Sequence, residues 1–294
     1  MTVGSGNYKY ELVKDWAKIP EYFVLDDPVD LAIDSRDRVY VGSRGNHPLL
    51  IFDQDGNFVS CWGEGYFVDP HGVFIGPDDS VYVTDCETHT VEKLTLGGEL
   101  LDMRLGTRNR AAVIFTQTPF NKPTSLSIGP KSNMFVCDGY GNFLIHKFSP
   151  NGKLLKTWGG CGNEPGQFAV PHKLDVDKYG TVYVCDRNND RIQLFDSDGN
   201  FINMWTDFHW PQDICISRKE DTAYVVEATW DPLSQPRVTI RDLEGKILSE
   251  WGGRQSEGKG ILEFTHSVCI DSRGDIYIGE IAKTKRIQKF VKVS

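Results

Sequence analysis

One cassette recurs six times along the 294 residues. Pro28-Val29, Pro70-His71, Pro123-Thr124, Pro171-His172, Pro211-Gln212 and Thr265-His266 each open an apolar run. After a polar turn, each run gives way to Val39-Tyr40-Val41, Val81-Tyr82-Val83, Met134-Phe135-Val136, Val182-Tyr183-Val184, Ala223-Tyr224-Val225 or Ile276-Tyr277-Ile278. The markers stand 42, 53, 48, 40 and 54 residues apart, which is the length of a four-stranded propeller blade. Within each copy the apolar residues alternate with period two, the signature of strands rather than helices. Asp55-Gly56, Gly97-Gly98, Asn151-Gly152, Asp198-Gly199 and Glu244-Gly245 supply hairpin turns before a last strand that ends at or near Trp62, Leu105, Trp158, Trp205 and Trp251.

The sixth copy has no such last strand, because the chain stops four residues after Phe290. Tyr8 to Trp16 alternates in the same way and ends on the same residue type. It can complete the last blade and remove the edge that an open array would expose. The expected fold is therefore all-β, a single six-bladed β-propeller domain over residues 1–294, with the N-terminal strand closing the last blade and the tryptophans packing the blades.

Partners are bounded by charge. A formal net charge of −9 argues against nucleic acid and against an anionic membrane surface, both of which demand clustered Lys and Arg. No apolar run reaches membrane-spanning length and the first residues do not read as a secretory signal. The expected setting is cytoplasmic, with a small-molecule or peptide-like partner. Seven cysteines without a CxxC pair read as small apolar side chains in packed strands.

Histidine makes up only 7 of the 294 residues, yet His71, His172 and His266 fall at one register in the second, fourth and sixth copies. Composition alone gives that outcome odds on the order of a few in ten thousand. The first strand of a propeller blade is the innermost, so alternate copies of six would aim three imidazoles at one axis from 120° apart. Three nitrogens with further positions open to a cleft are the arrangement of a catalytic metal rather than a structural one. His47, His146 and His209 lack this register and read as solvated or hydrogen-bonded side chains; His89, four residues after Asp85, is open to either reading. An acid closes the second strand of five copies, at Asp85, Asp138, Asp186, Glu227 and Glu280. Such a repeated carboxylate is expected to accept hydrogen bonds from backbone or neighbouring-blade groups, some of them beside the ligands. Blade one departs from the pattern with Ser43-Arg44. Two longer connections, 107–122 with Arg108 and Arg110, and 228–237 with Trp230 and Pro232, are of the kind that often carries function on a rigid array, with simple length variation on the surface as the alternative.

Several of these stretches resemble a known family: Ser43-Arg44-Gly45, Pro70-His71-Gly72, Val83-Thr84-Asp85, Cys137-Asp138-Gly139-Tyr140-Gly141-Asn142, Phe148-Ser149-Pro150-Asn151-Gly152-Lys153 and Pro165-Gly166-Gln167-Phe168 leading to Pro171-His172. Over almost the whole chain the sequence is similar to the NHL-type six-bladed propellers, and within them to peptidyl-α-hydroxyglycine α-amidating lyase. The resemblance implies a zinc on His71, His172 and His266, with Arg44 and Tyr140 completing the site. It also implies a reaction in which an α-hydroxyglycine-extended peptide is split into a peptide amide and glyoxylate. Phe264-Thr265-His266-Ser267 departs from the family's Met-Pro-His-Asp, losing a carboxylate that there helps to hold a structural calcium. The expectation is thus a divalent transition metal, zinc first, with the calcium position weakened or empty.

Other readings compete. A metal lyase, hydratase or hydrolase of a small hydroxylated metabolite would use the same residues. A non-catalytic NHL scaffold would leave the alternating histidines without a reason. A calcium-dependent lactonase-like propeller would require hard oxygen ligands where Val29, Thr124 and three histidines stand.

Overall fold

The computed structural model describes residues 1–294 apart from 115, 229, 232–234, 253–261 and 294; Pro232 therefore lies outside the described residues. The protein is an all-β, six-bladed propeller of antiparallel sheets, five of which follow the order of the chain while the sixth takes its outer strands from the N-terminal residues. Helical content among the described residues is two short 3-10 turns, Pro130–Ser132 and Arg187–Asn189. None is long and apolar enough to cross a membrane.

The chain falls into two compact units. The unit Gly63–Pro211 contains blades two, three and four. Blade two is Pro70–Ile75, Val81–Asp85, Thr90–Leu94 and Leu100–Gly106. Blade three is Ser125–Ile128, Met134–Asp138, Leu144–Phe148 and Leu154–Gly159. Blade four is Pro171–Val176, Val182–Asp186, Arg191–Phe195 and Phe201–Trp205. Burial falls from the first strand outward: every residue of Pro171–Val176 is buried, whereas only Trp205 is in Phe201–Trp205. The alternating apolar positions of neighbouring blades interlock, as where Phe135, Ile145 and Trp158 meet Leu174, Val182 and Phe195. Each such side chain contributes about 1.5–3 kcal/mol by leaving water.

The other unit, Met1–Trp62 with Gln212–Ser294, holds blades one, five and six. The N-terminal strand is where the alternation put it: Tyr8–Val13 runs antiparallel to Arg286–Lys292, with Tyr10 opposite Lys292 and Leu12 opposite Phe290. Thr2–Ser5 adds a fifth strand that the repeat did not foretell. It folds back on Tyr8–Val13, and the Ser5 N–H donates to Ser249 Oγ of blade five at 2.8 Å. Trp16 lies past the strand end, where it packs against Phe52 and Tyr277 and donates Nε1–H to the Gln54 carbonyl at 3.0 Å. Gly56 makes this approach possible. Its φ is +79°, and a Cβ there would stand 1.8 Å from the Trp16 carbonyl oxygen.

The acids behave as their repetition suggested. Asp85 accepts from the Val68, Asp69, Glu87 and Thr88 N–H groups. Asp138 takes that of Asn121, Asp186 that of Ala169, and Glu280 that of Glu263. Each of these four carboxylates thus holds the segment entering its own blade's first strand, at the residue two ahead of the marker. Glu227 accepts from the Arg237 side chain at 2.7 Å, as Asp186 does from Arg191 and Glu280 from Arg286.

Candidate metal centre

The histidine register coincides with a backbone irregularity. In blade two Pro70 pairs with Asp85 and Gly72 with Thr84, so that His71 is the extra residue of a β-bulge. His172 occupies the same place between Pro171 and Lys173, and His266 between Thr265 and Ser267. A bulge turns its extra side chain away from the sheet's alternation, which is how a strand with both faces packed presents an imidazole at its end.

In the unit Gly63–Pro211, His71 and His172 are both fully buried, with ring centroids 4.9 Å apart and planes at 88°. His71 Nδ1 is 2.8 Å from the Thr124 carbonyl oxygen. A carbonyl only accepts, so Nδ1 carries the proton and Nε2 keeps a lone pair. The Tyr140 hydroxyl lies 2.8 Å from His71 Nε2 and 3.0 Å from His172 Nε2. Tyr140 is held from behind by a relay: its N–H donates to the Lys122 carbonyl at 3.3 Å, and the Lys122 N–H donates to His89 Nδ1 at 3.1 Å. His89 thus contacts the segment that carries the Tyr140 turn. Gly139 lets the turn sit close, since a Cβ there would meet the Pro171 carbonyl oxygen at 1.9 Å. Lys173, 2 % exposed, donates Nζ–H to the His71 carbonyl at 3.1 Å.

Sequence reasoning missed Arg187. Its guanidinium carbon lies 5.6 Å from the Tyr140 ring centroid and 5.1 Å from that of Trp210, within cation–π range. A signal was present: Arg187 follows Asp186 as Arg44 follows Ser43, so both arginines occupy the position after the second strand.

In the other unit, His266 is buried and its Nδ1 lies 2.7 Å from the Val29 carbonyl oxygen, again leaving Nε2 as the acceptor. Thr265 anchors the strand through Oγ1 to the Glu227 carbonyl at 3.0 Å. Ser267 is fully buried against Gly279. Arg44 is half-buried, and its N–H donates to the Asp27 carbonyl at 3.2 Å. Nearby, the Lys285 ammonium holds the Asp26 carboxyl below the usual carboxylate range, with the Arg44 charge a lesser contributor.

Among the described residues, His71, His172 and His266 form a three-histidine set that could hold a metal ion. The donor chemistry fits: two rings have their Nδ1–H fixed by main-chain carbonyls, which orients the imidazole and raises its basicity as a ligand. Elsewhere, Arg108 stacks on Tyr66 at 4.1 Å and pairs with Glu92 at 3.6 Å. Arg110 is exposed, and Trp230, also exposed, lies against Phe264 at 4.3 Å. His146 is buried between Asp138 and Thr157, and His209 is an exposed neighbour of Asp190. None of the seven cysteines is in a disulfide.

A family model described as NHL repeat matches residues 67–94 and 168–195, the blades of His71 and His172. NHL repeat-containing protein 3 of Homo sapiens is 31% identical over 301 residues, covering 97% of this chain and 85% of that protein. Peptidyl-alpha-hydroxyglycine alpha-amidating lyase 1 of Drosophila melanogaster is 35% identical over 254 residues, 78% of this chain and 46% of that one. Among solved structures, virginiamycin B lyase from Staphylococcus aureus superposes with a TM-score of 0.62 at 14% identity, over 98% of this chain and 88% of that one, a likeness of fold alone. With buried histidines at one bulge register and an alignment along nearly its whole length, the chain belongs to the NHL-repeat six-bladed propellers, in the family of NHL repeat-containing protein 3, and resembles the peptidyl-α-hydroxyglycine α-amidating lyases.

Proposed function

We propose that the protein is a metal-dependent lyase of the amidating-lyase type, cleaving a C–N or C–O bond at a hydroxylated carbon. The observation that carries this reading is the Tyr140 hydroxyl, within hydrogen-bond reach of both His71 Nε2 and His172 Nε2. His71, His172 and His266 would hold the ion, zinc by the chemistry of a three-imidazole set. A bound divalent ion supplies Lewis acidity toward a substrate oxygen. Tyr140 would take the proton from the α-hydroxyl as the carbonyl forms, and a proton returned to the departing nitrogen would complete an amide and an aldehyde acid. Arg187, beside Tyr140, and Arg44 have the planar donor fork that suits a substrate carboxylate.

The test is glyoxylate release from α-hydroxyhippurate, read beside the metal content of the same preparations. Tyr140→Phe should keep the metal and the fold while turnover falls by roughly 10²-fold or more, the scale for losing a positioned proton-transfer group. Full turnover in that variant would remove Tyr140 from the chemistry. NHL repeat-containing protein 3, which aligns with nearly the whole chain, carries no activity in its name. Metal-dependent turnover of small hydroxy acids alone would move the reading to a metabolite lyase, and no metal-dependent turnover of any of them would leave a scaffold.

A further inference from the structure

We propose that His47 and Cys61 hold a second metal ion, thiophilic and open to solvent, independent of the three-histidine set. Glu64, three residues beyond Cys61 in the chain, serves as the third donor. His47 lies in the connection between the second and third strands of blade one. Cys61 is on that blade's outer strand, Phe58–Trp62, opposite Leu50. Their donor atoms face each other, His47 Nδ1 standing 3.9 Å from Cys61 Sγ. A tetrahedral zinc with Zn–S of about 2.3 Å and Zn–N of about 2.0–2.1 Å requires an S···N separation of about 3.6 Å. A shift of a few tenths of an ångström therefore turns the observed pair into two ligands of one ion.

The imidazole does not swing freely to meet this demand. Phe23 packs edge-on against the His47 ring at 4.1 Å, and is itself wedged against Phe58 at 4.9 Å. Packing of this kind sets a ligand's direction ahead of binding. Both His47 and Cys61 are half-buried, so an ion can reach them, and Glu64 is exposed. Among the described residues, His47, Cys61 and Glu64 make up the second group able to hold a metal.

Cys61 is more accessible than the cysteines buried in packed strands. Cys137 and Cys269 are buried, and burial pushes both thiols up, favouring the neutral form that does not bind metal. One sulfur with one imidazole and one carboxylate suits zinc, and leaves a fourth position to water. Binding would release the Cys61 proton, so affinity rises with pH.

Cobalt(II) is the probe. Chelator-stripped protein titrated with Co²⁺ should develop the near-ultraviolet absorption of a thiolate–cobalt bond, which imidazoles alone do not give. Cys61→Ser and His47→Gln should each abolish that band and lower the zinc stoichiometry by one ion, while glyoxylate release, where present, stays as in the parent. His172→Ala should leave the band intact. Absence of the band in the parent protein, or its survival in Cys61→Ser, would overturn the assignment and leave the pair as a thiol–imidazole contact.

Discussion

Blades two and three have the same strand order and the same marker position, yet they use it in opposite ways. Blade two presents the His71 side chain; blade three presents the carbonyl of Thr124 that fixes His71 Nδ1. Blades six and one repeat the division, with His266 on one and the Val29 carbonyl on the other. Alternation in the sequence thus reflects a sharing of labour between side chain and main chain. Val29 and Thr124 each serve the neighbouring imidazole through the main chain, and the Thr124 side chain turns elsewhere, donating Oγ1–H to the Pro171 carbonyl at 3.2 Å.

The sharpest way to break this comparison is to change both residues of one pair. His71→Ala should weaken metal binding by more than the roughly 10–100-fold that loss of an outer partner costs. Thr124→Val, which keeps the carbonyl, should bind as the parent does. Metal analysis of the two proteins decides, and equal losses would end the distinction. Next is Asp85→Asn, which sets one acceptor oxygen where a carboxylate now takes four backbone N–H groups. Urea unfolding should show a loss of about 1–3 kcal/mol, whereas Ser43→Ala in blade one, where no acid stands, should be close to neutral. Smaller again, Arg187→Ala should raise KM for a carboxylate-bearing substrate by about 10-fold with little change in kcat. The same substitution at Arg44 asks whether two copies of one register act alike.

The least effect concerns the support of Tyr140. Lys122 Nζ pairs with Glu87 at 2.6 Å, and this hydrogen bond holds the Glu87 carboxyl below its usual range. A depressed folded-state value adds stability above the unfolded value of about 4.3 and loses it as pH falls through the lower one. The pair is solvent-exposed and screened. Glu87→Gln should therefore lower the thermal midpoint slightly at pH 7, with the difference fading below about pH 4. A difference that persisted at low pH would show that the charge is not its source.

The blades were legible in the sequence because their period, turn residues and alternation all report the same local physics, and the histidines because scarcity made their register conspicuous. What remained hidden belongs to the backbone. A β-bulge at His71, the carbonyls of Thr124 and Val29 and the close pass of Gly139 leave no side-chain signature. Arg187 was hidden for another reason: an arginine after an acid reads as a local ion pair until its neighbour across the turn, Tyr140, is known. Thr2–Ser5 escaped because four residues are too few to show a period.

The pairing of Tyr10 with Lys292 also has a bearing on how the protein is made. These partners are 282 residues apart, so at about 5–20 residues per second an early strand leaves the ribosome roughly 15–60 s before its mate exists. Blades two, three and four lie wholly within that interval and can pack on one another during it. Tyr10, with its ring destined for the fully buried space beside Trp251 and in one cluster with Phe290, must wait in the open until the strand Arg286–Lys292 has been added.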